Sequence, residues 1–95
     1  MSQENALDYV AGYCIGLDIT LRGPEDRSFR KSIDGYSVLG PWMITADELP
    51  SVDNLRMINR VNGEVWFDGR ISGWAFTFAQ FIAHVSRDEM VNVGD

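Results

Sequence analysis

Asn62-Gly63 constrains this chain more than any other pair of residues. It stands between two runs suited to strands, residues 55–61 and 64–68. A type I′ turn needs positive φ at both central positions, and Asn-Gly is the pair that accepts them most readily. The pair therefore predicts a β-hairpin. Residues 9–19 are rich in Tyr, Val, Cys and Ile and contain glycines that allow a neighbouring backbone to come close, which predicts a largely buried strand. Residues 40–46 read as a second strand, and Asp47-Glu48-Leu49-Pro50 with Asp53-Asn54 as a turn region. After a looser linker over 69–73, residues 76–85 place Phe78, Phe81, Ile82 and Val85 on one helical face, with Gln80, His84 and Arg87 elsewhere. The expected class is mainly β with one or two helices, α+β.

Between the first two strands the chain turns polar. Residues 20–37 hold the Gly23-Pro24 breaker and the charges Arg22, Glu25, Asp26, Arg27, Arg30, Lys31 and Asp34. They predict a long loop with a short helical turn. A loop of that length is uncommon in a small domain unless it carries function.

Composition narrows the remaining classes. Ninety-five residues suit one small domain with a thin margin of stability, and 45% hydrophobic residues without a long polar tract exclude a disordered tail. A formal net charge of −6 argues against nucleic acid as a partner, because phosphate binding rests on clustered Lys and Arg. No apolar run approaches a membrane span, so no membrane partner is expected. Cys14 is the single cysteine and no signal pattern opens the chain, which fits a soluble protein in a reducing cytoplasm. There is no phosphate loop, no Gly-x-Ser-x-Gly elbow and no zinc-spaced cysteine pair. His84 falls off the apolar face of the helix and reads as a surface residue. Cys14 has no charged neighbour to make it a thiolate. Trp42, Trp66 and Trp74 read as core or interface.

Five residues in or beside the polar loop are candidates for chemistry. Asp18 ends the first strand, where a carboxylate either caps the next turn or binds a ligand. Lys31 is either a solvated cation or a charge aimed at a site. Arg22 either pairs with Glu25 or Asp26 or grips a carboxylate through its guanidinium fork. Tyr36, like Ser32, serves either packing and turn formation or a hydrogen bond to a ligand.

The segments Gly12-Tyr13, Asp18-Ile19-Thr20, Arg22-Gly23-Pro24-Glu25-Asp26-Arg27-Ser28, Lys31-Ser32-Ile33-Asp34-Gly35-Tyr36, Leu39-Gly40-Pro41-Trp42 and Thr45-Ala46-Asp47-Glu48 together resemble the fumarylacetoacetate hydrolase family. The likeness is to its bacterial branch of isomerases, decarboxylases and hydratases of catechol-type degradation. It covers nearly the whole chain and implies a β-rich, sandwich-like roll, a homodimer and a small acidic oxo-compound as substrate. Asp18 would be a ligand of a divalent metal, magnesium first, with manganese or calcium as alternatives. Lys31 would be the catalytic cation, with Arg22, Glu25 and Tyr36 at the substrate. Several family members have Gln where Glu25 stands, a departure that bears on substrate identity. The family's upstream Glu-x-Glu pair and downstream Gly-Thr-Pro segment are not in the sequence. Residues 1–95 are thus expected to be an internal part of a longer catalytic domain.

Overall fold

The computed structural model describes residues 1–95 and divides them into two compact units, Ala11–Leu49 and Met1–Val10 with Pro50–Asp95.

In the first unit, β1 (Gly12–Asp18) pairs antiparallel with β2 (Ser37–Thr45), from Gly12 opposite Thr45 to Asp18 opposite Ser37. The register shifts between Tyr13 and Ile15, and on the partner strand the Gly40–Pro41 bond is cis. Gly12 is required by close approach, as a Cβ there would collide with the Ile44 carbonyl and Met43. The predicted second strand begins three residues early, at Ser37, because pairing with Asp18 extends the ladder to the loop's edge.

In the second unit, β3 (Arg56–Val61) and β4 (Glu64–Arg70) form the predicted hairpin. Asn62 and Gly63 take φ of 51° and 87°, the two positive values that the turn demands. Arg56 grips Asp68 with both nitrogens of its fork, Nε at 2.7 Å and Nη2 at 2.5 Å. One helix, α1 (Phe78–Asp88), follows a 3₁₀ turn at Ile71–Gly73. It starts two residues after the expected position because Thr77 builds a capping box. Thr77 Oγ1 accepts from the Gln80 amide at 3.2 Å, and the Thr77 amide donates to Gln80 Oε1 at 2.9 Å. A cap of this kind contributes about 1 kcal/mol. The 3₁₀ turn Ala6–Tyr9 packs on α1, and Trp74 and Phe78 meet with ring centroids 5.7 Å apart. His84 is exposed, as expected. The α+β class is therefore observed, with antiparallel strands and one α-helix.

Burial departs from expectation. Strand β1 is shorter than residues 9–19, since Tyr9 belongs to the 3₁₀ turn, and it is largely exposed. Ile15 is 65% accessible and Leu39, on its partner strand, 77%. The reason is that a two-stranded sheet covers neither of its own faces. Only Ala6 and Val52 are buried, both in the second unit, and Trp42 and Trp66 are more than two-thirds exposed, so they form no core within this chain. Two separate globules of these units' sizes would together expose about 6,600 Å². The chain exposes 8118 Å².

Two outcomes follow. Arg56 beside Asp68 holds its carboxyl below the ordinary value. A lowered carboxyl stabilises the fold above the unfolded-state pKa, near 3.9, and loses that contribution as pH falls through the folded value. Acid titration of the β3–β4 amide signals should show hairpin loss in that range, and Asp68→Asn should flatten the dependence. An unchanged profile in the variant would assign the acid loss to other groups. Separately, the unpaired strand edges and apolar faces should make the isolated chain self-associate or bind a hydrophobic dye. A dye-silent monomer with a sharp cooperative melt in sedimentation and calorimetry would contradict this.

Candidate active site

The loop between β1 and β2 is built by backbone bonds that continue the hairpin beyond its strands. Ile19 N donates to the Tyr36 carbonyl at 2.9 Å, and Leu21 N to the Arg30 carbonyl at 3.0 Å. Between these rungs the chain folds on itself. The Asp26 carboxylate accepts from the amides of Ser28 and Phe29 at 2.9 and 3.4 Å and starts the 3₁₀ turn Phe29–Lys31. The turn is closed by Ser32 N on the Phe29 carbonyl at 3.1 Å and Ser32 Oγ on the Ser28 carbonyl at 2.6 Å. The short helical turn expected in the loop is thus present, and Ser32 holds the loop together.

Its product is the placement of Lys31, the only lysine of the chain. Lys31 Nζ pairs with Asp18 Oδ2 and donates to Thr20 Oγ1 at 3.0 Å. Thirteen residues apart in sequence, the two leading candidates are therefore in contact. Their side chains keep 45% (Lys31) and 69% (Asp18) of their accessibility. An ion pair that open contributes about 0.2–1 kcal/mol, comparable to or below the rotamer freedom a held lysine gives up. The pair places a charge more than it stabilises the fold. Thr20, which sequence reading does not single out, completes the contact. The available signal is its spacing, because residues i and i+2 of extended backbone share a face.

The other candidates are not gathered on this pair. Arg22 is exposed in the loop and forms no ion pair with Glu25 or Asp26; the three salt bridges of the chain are Lys31–Asp18, Arg56–Asp68 and Arg87–Asp88. The Glu25 carboxylate folds back over Gly23, so close that a Cβ there would collide with it. Tyr36 is half-buried and its backbone closes the loop, its amide donating to the Ile33 carbonyl at 3.0 Å. Arg30 is half-buried with Nε shielded from solvent and without a hydrogen-bond partner. Around Asp18 no other carboxylate, His or Cys completes a group of three that could hold a metal ion. Asp18 thus fits such an ion as one ligand and not as a site by itself. No helix is long and apolar enough to cross a membrane.

Comparison with known proteins identifies the family. The chain is 46% identical over 93 residues to maleylpyruvate hydrolase of Aquipseudomonas alcaligenes, covering 98% of this chain and 32% of that protein. It is 34% identical over 102 residues to a Burkholderia multivorans protein named as a hydrolase, covering all of this chain and 36% of that one. A crystal structure described as an HpcE protein from Mycobacterium smegmatis matches with a TM-score of 0.77 at 35% identity, over 90% of this chain and 34% of the other. The chain spans about a third of the length of these relatives. The model of the fumarylacetoacetate hydrolase C-terminal domain matches residues 1–95, and the chain belongs to that family.

Proposed function

We propose that these residues supply the Asp18–Lys31 portion of a metal-dependent catalytic site acting on small acidic oxo-compounds, 2-oxo acids or β-diketones, in the breakdown of aromatic compounds. The observation that carries the reading is the single lysine, held at Asp18 and Thr20 by a loop whose backbone is bonded on both sides of the contact. Hydrolysis is the favoured reaction, since relatives at 46% and 34% identity bear hydrolase names. Isomerisation and decarboxylation would use the same residues. A homodimer in the cytoplasm belongs to the same reading, as does the absence of nucleic acid among its partners.

Cleavage, tautomerisation and decarboxylation of such substrates all pass through an enolate or oxyanion. A positive charge already fixed where that negative charge develops lowers the barrier without reorganising at the moment of reaction. Lys31 provides that charge. The Arg22 guanidinium, free of ion pairs, suits a bidentate grip on the substrate carboxylate. Glu25 opposes an acidic substrate unless a cation lies beside it, and folded over Gly23 it bears on which substrate enters. Tyr36 can donate its phenol to a bound oxygen. A divalent cation, magnesium first and manganese or calcium as alternatives, would draw one ligand from Asp18, and all-oxygen ligation is what these ions prefer. The donors around Asp18 do not complete its shell.

A second reading is a noncatalytic interaction protein. It is favoured by the occupation of Asp18 by Lys31 and by the exposed tryptophans.

Turnover separates the two. With magnesium, manganese or calcium supplied, the native protein should consume maleylpyruvate or a related oxo-acid, and Lys31→Ala should slow it on the order of 10²–10³-fold. No turnover with any of the three ions would sink the catalytic reading. Manganese should also broaden the Asp18 signals in NMR, and Asp18→Asn should abolish the broadening. Broadening confined to other carboxylates would remove Asp18 from the metal.

A further inference from the structure

We propose that Thr20 is the positioning residue for Lys31: its hydroxyl, and not the Asp18 carboxylate alone, fixes where the ammonium points. This rests on the reading of Lys31 as the functional cation given above.

Asp18 and Thr20 are two residues apart where β1 ends and its pairing continues through Ile19, and Lys31 Nζ meets both. The two acceptors differ in kind. Asp18 is exposed, and its attraction for the ammonium is weakened by water and salt. Thr20 is half-buried, and the backbone amides on both sides of it, Ile19 N and Leu21 N, are bonded across the loop to Tyr36 and Arg30. A β-branched side chain on pinned backbone has few rotamers. Its hydroxyl oxygen at 3.0 Å is therefore a fixed acceptor. It is also a neutral one. Any cation that approaches Asp18 competes with the lysine for the carboxylate and repels it, but leaves the hydroxyl as an acceptor. Thr20 can hold Lys31 whether or not Asp18 is engaged elsewhere, and the reverse does not follow for Asp18.

The test uses the full chain labelled with ¹⁵N-lysine, which gives one ammonium signal because Lys31 is the only lysine. Exchange of its protons with water and its ¹⁵N relaxation report whether the ammonium is held. Thr20→Val, close in shape but without an acceptor, should move both values to those of a free lysine, and Thr20→Ser should restore them. The amide signals of Ile19 and Leu21 verify that the loop is intact. A held ammonium in Thr20→Val with those amides unchanged overturns the proposal. If Thr20→Val does not fold, Asp18→Ala decides: an ammonium that stays held against the remaining hydroxyl supports the proposal, and one that behaves as free lysine overturns it. In an active preparation Thr20→Val should lower kcat about as far as Lys31→Ala while leaving KM nearly unchanged. If Lys31→Ala leaves turnover intact, the catalytic reading fails while the ammonium measurement still stands or falls by itself.

Discussion

Everything at the candidate site depends on the antiparallel ladder of β1 and β2 not stopping where the strands stop. The rungs Ile19 N to Tyr36 O and Leu21 N to Arg30 O carry pairing into a segment whose composition is that of a solvated loop. Backbone bonds of this kind are indifferent to side chains, so they can hold a stretch that has no core to pack against. They leave the side chains of Asp18, Thr20 and Lys31 free to meet one another. The loop is thereby ordered without burial, and its polar residues remain accessible to a ligand.

The second unit reaches order by local chemistry of a different sort. A turn that satisfies two positive φ angles and a capping box at the helix start are each decided within a few residues, and a bidentate arginine ties the two strands of the hairpin together. Only Ala6 and Val52 are buried by packing. Local devices thus define the elements, while little apolar surface is removed from solvent.

That contrast explains which features the sequence could disclose. The hairpin was legible because Asn62-Gly63 states its own dihedral requirement, and the helix because its apolar residues recur on one face. Its first residue was less so: Thr77 and Gln80 stand at capping-box spacing, but the apolar Phe76 just before them draws the boundary outward. Asp18 and Lys31 could be named as candidates but not joined by residue-level reasoning, since they lie thirteen residues apart along the chain and the rungs at Tyr36 and Arg30 bring them together. Thr20 is not legible as a site residue because a neutral hydroxyl at a strand end has many ordinary uses. The exposure of β1 is not legible in the sequence because apolar composition reports what a strand can bury and not what lies over it.

The solitary lysine has one more consequence. A peptidase that cuts after lysine has a single place to cut, the bond from Lys31 to Ser32. That bond lies where the Ser32 amide and hydroxyl are both engaged, on Phe29 and Ser28. Cleavage there must wait for the 3₁₀ turn to open, so when opening and closing are fast relative to cleavage its rate measures the local opening equilibrium of the loop. The chain carries a built-in gauge of how often its candidate site comes apart.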